Sequence, residues 1–258
     1  MVSVAYRFLA GGALLVGYCL LRGIRLRFSA KDLLFVGLQG VFLFGVNYWL
    51  VYEAERWLPS GLVAVVFSAI VFANVVNGRL FLGAPVRPRV LAGAVLGILG
   101  VAGVFLRELM EFSLSSQSLR ALGLAAGSTY LASIGNILSA RNQRAGLSVQ
   151  QTNALGMLAG GAAMALVSRA LGKPFAFDGS FGYVASLVYL TVFGSIIAFA
   201  CFLTLLGRIG ADKAAYVALT MPVIALALTT VFEGYRWTLP AILGVSLVLG
   251  GNYLALRK

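Results

Sequence analysis

Nine stretches of the chain are dominated by Leu, Val, Ala, Ile, Phe and Gly: Val4–Leu21, Leu33–Tyr52, Gly61–Leu80, Val90–Leu106, Ala121–Ala140, Thr152–Leu171, Tyr183–Leu206, Ala214–Phe232 and Leu239–Leu256. Each is close to the roughly 20 residues that a helix needs to cross the hydrocarbon core of a bilayer. The connections between them are short and carry the Pro and Arg signals of loops, as in Gly83-Ala84-Pro85-Val86-Arg87-Pro88-Arg89, and they leave no room for a soluble domain. The pattern predicts an all-α polytopic membrane protein, a helical bundle of nine transmembrane helices.

A second pattern lies over the first. Leu9-Ala10-Gly11-Gly12-Ala13 recurs letter for letter as Leu158-Ala159-Gly160-Gly161-Ala162. The same spacing pairs Gly23 with Gly172, Phe44-Gly45 with Phe193-Gly194, and Gly61 with Gly210. After a slip of two positions it pairs Gly83 with Gly234, Gly93 with Gly244, and Gly100 with Gly251. Matches in fixed order, most of them glycines, mark a duplicated chain, and in a membrane protein a duplication points to a transporter built from two related halves. The repeats are placed at 1–106, with four helices, and 121–258, with five. Because the second repeat has an odd number of spans, matched helices cross the membrane in opposite directions. That is an inverted repeat, in which a substrate site lies near the midplane and the halves exchange conformations. The helix at Ala121–Ala140 has no counterpart in the first repeat, and the expectation is a missing upstream segment.

Composition supports the membrane assignment. Of 258 residues, 60% are hydrophobic and only 11% charged, where soluble domains hold about 25% charged residues. A net charge of +12 suggests nucleic acid in a soluble chain, but here the basic residues sit in connections, where they set orientation instead. Arg22, Arg25, Arg27, Lys31, Arg79, Arg87, Arg89, Arg141, Arg144, Arg208, Lys213, Arg257 and Lys258 fall on one side. Arg7, Arg56, Arg107, Arg120, Arg169, Lys173 and Arg236 fall on the other, with the acids Glu53, Glu55, Glu108, Glu111, Asp178 and Glu233. The positive-inside rule therefore places the C-terminus in the cytoplasm and the N-terminus outside. Cys19 and Cys201 each stand alone in an apolar run and His is absent, so neither a disulfide framework nor a metal site is expected. No cofactor is implied.

Several segments resemble the drug/metabolite transporter superfamily, in particular its EamA-type permeases. Tyr6-Arg7-Phe8 and the apolar run after it are similar to the start of that family's second helix. Leu58-Pro59-Ser60-Gly61 through Ser68 to Phe81-Leu82-Gly83 resembles its third-to-fourth helix passage. Gly210-Ala211-Asp212-Lys213-Ala214-Ala215 through Met221-Pro222 to Glu233-Gly234 resembles the same passage in the second repeat. The resemblance implies two inverted five-helix repeats, a small-molecule substrate, a lipid bilayer around the chain, a bacterial plasma (inner) membrane location, and a monomer or homodimer. It also implies that the family's first helix is lacking here. The family's mid-helix proline is kept as Pro222 but absent from Phe67–Phe72, and its glutamate after Leu-Gly is replaced by Ala84 and Tyr235.

Polar side chains at membrane depth cost free energy unless they face a cavity or a partner. Stripes at helical spacing are Phe44, Tyr48, Tyr52 and Glu55; Phe67, Asn74 and Asn77; Thr129, Ser133 and Asn136; Thr191 and Ser195; and Tyr216, Thr220 and Thr230. Converging, they make a neutral, aromatic-lined cavity for a small organic metabolite. The candidate binding residues are Tyr48, Tyr52, Asn74, Thr129, Ser133, Asn136, Ser195, Tyr216 and Thr220, with Pro222 as hinge. The plainer alternative stays open for each. Ser and Thr bond back to their own helix, Tyr48 and Tyr52 fit an interfacial aromatic role, and Arg7 snorkels to the outer interface. The glycine sets Gly93–Gly97–Gly100 and Gly244–Gly250–Gly251 read as close helix packing.

The leading function is a secondary transporter or exporter of a small organic metabolite, amino-acid-like or another small polar compound, working by alternating access. A truncated or non-transporting membrane subunit is the alternative. An intramembrane enzyme stands third, since the chain has no His, no buried acid pair and only lone cysteines from which to build catalytic machinery.

Overall fold

The computed structural model describes residues 1–113, 115–232 and 237–257. Glu233, Gly234, Tyr235, Arg236 and Lys258, which entered the repeat, family and charge readings, lie outside the described residues. Among the described residues there is no strand, and nine long helices follow one another: α1 (Val2–Leu21), α2 (Ala30–Ala54), α3 (Ser60–Leu82), α4 (Pro88–Val104), α5 (Ser116–Arg144), α6 (Val149–Ala170), α7 (Phe181–Ile209), α8 (Ala211–Phe232) and α9 (Leu239–Leu256). Seven of them are long and apolar enough to cross a membrane; α4 is apolar but shorter at 17 residues, and α6 opens on the polar run Gln150-Gln151-Thr152-Asn153.

Several helices begin earlier than their apolar runs because caps lie just outside those runs. The hydroxyls of Ser29, Ser180 and Thr238 accept from the amides of Asp32, Tyr183 and Ala241, and Ser148 and Gln151 form a reciprocal capping box. Each cap satisfies an amide at the helix start that has no intrahelical partner.

The duplication is visible in backbone detail. At the end of α1, Gly23 has φ 66° and Ile24 N donates to Cys19 O at 2.8 Å; at the end of α6, Gly172 has φ 64° and Lys173 N donates to Ser168 O at 2.9 Å. These are the same left-handed glycine terminus at the spacing of the repeated pentapeptide, and only glycine adopts it without strain. Helices α2 and α7 each contain a π turn, Val41–Val46 and Val192–Ile197, and each turn holds one of the matched Phe-Gly pairs. The Gly61–Gly210 match does not extend to conformation: Gly61 lies inside the first turn of α3, whereas Gly210, at φ 95°, precedes α8.

The chain forms two compact units, and neither is a sequence half. The first comprises Met1–Tyr52 and Ile134–Gly210, the second Glu53–Ser133 and Ala211–Lys258. At the heart of the first unit, α1 packs on α6. A methyl group added at Gly12 lands 2.7 Å from Leu158 Cγ, and one at Gly161 lands 2.8 Å from Leu9 Cγ. Leu9 corresponds to Leu158 in the repeat and Gly12 to Gly161, so each contact is the other with the partners exchanged. In the second unit α4 packs on α9 by the same rule. Methyl groups at Gly93 and Gly251 each meet the other's carbonyl oxygen at 2.5 Å, as do those at Gly100 and Gly244. Contacts in reversed sequence order mean antiparallel helices, and reciprocal contacts mean a local two-fold relation. The matched helices therefore run in opposite directions, as an inverted repeat requires.

Two interruptions shape the helices α3 and α8. Helix α3 breaks at Ala69, where Ala69 N bonds Val66 O at 3.1 Å and the Ser68 hydroxyl donates to Val65 O at 2.5 Å. Helix α8 breaks at Ala215, about two turns before Pro222, and is helical through Pro222 itself.

Candidate functional site

The predicted residues divide between the two units. Tyr48, Tyr52, Asn136 and Ser195 belong to the first; Asn74, Thr129, Ser133, Tyr216 and Thr220 belong to the second.

In the second unit the predicted polar groups are largely satisfied within the protein. Asn74 donates its amide to Ala211 O at 2.8 Å, tying α3 to the start of α8, and Asn77 donates to Ser133 Oγ at 2.9 Å, tying α3 to α5. Thr129 donates back to Ala125 O at 2.9 Å. The Tyr216 hydroxyl donates to Val90 O. Thr220 donates back to Tyr216 O at 3.0 Å and accepts from Asn252 Nδ2 at 2.7 Å. Around them lies an apolar core that includes Val71, Val90, Ala94, Val101, Leu219 and Val248. A cavity of about 500 Å³ opens elsewhere in this unit, walled by Trp57, Pro59, Glu108, Glu111, Phe112 and Ser113 among others. None of the predicted residues lines it, and its wall comes from the connections at the ends of α2, α4 and the start of α5.

The first unit is different. Phe8, Phe44, Tyr48 and Phe199 form a cluster with ring centroids at 5.3 Å (Phe8–Phe44), 5.0 Å (Phe8–Tyr48) and 4.8 Å (Phe44–Phe199). Such tilted and edge-on arrangements suit the ring quadrupoles. The Arg7 guanidinium lies 5.3 Å from the Phe8 centroid and 5.7 Å from that of Tyr48, within cation–π range. It donates through Nε to Ser195 Oγ at 2.6 Å and through Nη2 to Gly194 O at 2.8 Å. Ser195 in turn donates to Leu190 O at 3.1 Å, five residues back across the π turn. The turn explains the geometry: shifting the backbone ladder out of α-helical register presents a carbonyl and a hydroxyl side by side. Arg7 therefore points along α1 toward the middle of α7 and does not snorkel to the outer end.

Asn136 is 1% exposed, and neither its amide nitrogen nor its oxygen has a hydrogen-bond partner among the described residues. Asn153, in α6 of the same unit, is in the same condition. Tyr52, by contrast, is 43% exposed at the end of α2. At the other end of α2, Asp32 pairs with Arg141 at 2.7 Å, and Asn142 donates to Gln39 at 2.9 Å. The sequence reading missed Arg7's partners and Asn153. The repeated Phe-Gly pair was the available signal for the first, since it marked the π turn that Arg7 reaches.

The model of the EamA-like transporter family matches residues 1–106 and 119–257. An uncharacterized inner membrane transporter of Escherichia coli (strain K12), YedA, is 29% identical over 265 aligned residues, covering 98% of this chain and 83% of that protein. A probable amino-acid metabolite efflux pump of the same strain is 27% identical over 206 residues, covering 76% of this chain and 67% of its own length. A solved crystal structure of 21% sequence identity superposes with a TM-score of 0.83 over 99% of this chain and 86% of that one, which shows a shared fold.

Proposed function

Since the chain belongs to the EamA-like transporter family, we propose that it is a secondary carrier exporting a small polar metabolite, amino-acid-like in character, by alternating access. The observation that carries this reading is the pair of reciprocal antiparallel crossings, α1 on α6 and α4 on α9. A repeat that runs both ways through the membrane can adopt its partner's conformation, and that exchange opens a carrier to each side in turn. The relatives named as an inner membrane transporter and an efflux pump support the same reading.

In this proposal the repeats occupy 1–106 and 121–258, the C-terminus is cytoplasmic, and the membrane is the bacterial inner membrane. Tyr48, Asn136 and Ser195 are the pathway residues of the first unit. Asn74, Ser133, Tyr216 and Thr220 contribute mainly by tying helices together, Thr129 bonds back to its own helix, and Pro222 is the hinge of α8. Counterflow into vesicles containing the purified full chain tests the reading and works with or without proton coupling. Vesicles preloaded with unlabelled compound accumulate the labelled form for at least one member of a panel of amino acids, amines and small polar organics. A panel that moves no faster than in empty vesicles sinks the proposal and leaves the non-transporting subunit.

A further inference from the structure

We infer that Arg7, held by Gly194 and Ser195 beside Tyr48, is the carboxylate-binding group of this protein, and that its substrate is a small monocarboxylate or a zwitterion presenting one. This rests on the carrier reading above and narrows the substrate class it allows.

Four ion pairs occur among the described residues: Arg56–Glu53, Arg87–Asp212, Arg107–Glu111 and Arg141–Asp32. Arg7 is in none of them. Its hydrogen-bond acceptors are a carbonyl and a hydroxyl, and its other neighbours are aromatic rings. These contacts fix the plane of the guanidinium but bring no opposite charge. An arginine has more N–H donors than the two bonds to Gly194 and Ser195 use. Arg7 and Tyr48 are only half-buried, while Phe8 beneath them is fully buried. The cluster therefore presents a positive charge with a low-dielectric backing and an accessible edge.

An unneutralised cation among apolar side chains is unfavourable, and the ligand that relieves it best is an anion taking two parallel hydrogen bonds. A carboxylate fits that fork, and its single charge balances the single guanidinium. A phosphate dianion leaves a charge uncompensated. The Tyr48 ring offers an apolar face to the remainder of the ligand. The two existing bonds hold the guanidinium in place before the ligand arrives, which lowers the ordering cost of binding.

The plain structural role for Arg7 is a clamp joining α1 to the π turn, and the test separates the two. Counterflow is measured with matched pairs that differ only at the acid group, such as phenylalanine with phenylalaninamide and leucine with leucinamide. Wild-type protein is expected to move the carboxylate about tenfold faster than the amide, the discrimination of a charge-assisted pair. In Arg7→Gln the ratio falls to about one, and in Arg7→Lys it is intermediate because a point charge replaces the fork. A clamp alone lowers both rates in proportion and leaves the ratio unchanged, which overturns the inference. Wild-type protein that moves amides as fast as carboxylates overturns it too, with the carrier reading intact. Wild-type protein that moves neither member of any pair or any other compound removes the carrier reading and this inference together. Should Arg7→Gln not fold, inhibition of wild-type counterflow decides: benzoate competes and benzamide does not, and equal inhibition by both refutes the assignment.

Discussion

The two reciprocal crossings obey one geometric rule and are surrounded by opposite chemistry. In the second unit, α4 meets α9 backbone to backbone, with Gly93 against Gly251 and Gly100 against Gly244. The amides nearby, Asn74, Asn77 and Asn252, each spend their N–H₂ on a protein acceptor. In the first unit, α1 meets α6 through glycine against leucine, and the same helices carry Arg7 without a carboxylate and Asn153 without a side-chain partner among the described residues. Asn136 on α5 is equally unpaired among the described residues. Buried polar groups are normally satisfied; among the described residues each unit leaves some buried side-chain atoms without a partner, but only in the first unit do whole amides, those of Asn136 and Asn153, go unpaired, and these mark where the protein gives up stability. Under the proposed carrier function this is a division of labour, with the amides of the second unit each tied by a bond into a frame and the first unit carrying the residues proposed to meet substrate.

The largest expected effect is at the tighter crossing. In Gly100→Ala the new methyl group meets the Gly244 carbonyl and the Val248 backbone nitrogen, neither of which can turn aside. We expect a loss of about 3 kcal/mol, at the upper end for overpacking, read as a lowered unfolding temperature in detergent. Gly12→Ala pushes mainly on the Leu158 side chain, although Leu158 N is also close, and should cost about 1 kcal/mol. Equal losses at the two sites would remove the distinction between the crossings.

Next in size are the asparagines. Asn74→Ala removes the bond to Ala211 O, and we expect a destabilisation of about 2 kcal/mol. Asn136→Leu replaces an unpaired buried amide by an apolar group of similar size, so stability should rise by about 1 kcal/mol while the counterflow rate falls at least several-fold. Such an exchange of stability against activity is characteristic of a functional position. A stabilised variant with undiminished transport would make Asn136 a packing residue. The smallest effect is a gain. Gly250 lies on α9 with open space where its side chain would be, so Gly250→Ala should stabilise by about 0.5 kcal/mol through helix propensity alone.

What could be read from the residues, and what could not, follows from the range of the interactions involved. The apolar runs specify the helices because crossing a bilayer is a requirement of length and composition. The true starts of α6 and α7, capped by Ser148 and Ser180, lie a few residues outside the runs, in capping side chains that hydropathy does not weigh. The repeated glycines were legible as a duplication, and Gly23 and Gly172 repeat even the hydrogen-bond pattern of their helix ends. The π turns left only the repeated Phe-Gly pairs as a trace, because adding a residue to a turn leaves no mark in composition. Arg7 stood in the sequence as a residue near a helix end, and its partners lie 187 and 188 positions away. For the same reason Asn74 and Asn136 look alike on their stripes, and only the fold supplies a carbonyl to one of them and none to the other.

The inverted repeat is the central claim, and the sidedness of its matched loops tests it most directly. Arg27 follows α1 and Lys173 follows α6, and both are exposed. Single cysteines at these two positions, in a background where the exposed Cys201 is replaced by serine, can be labelled with a membrane-impermeant maleimide. The account predicts that Lys173→Cys is labelled in intact cells and that Arg27→Cys is labelled only once the membrane is opened. Labelling of both positions from the same side would contradict it.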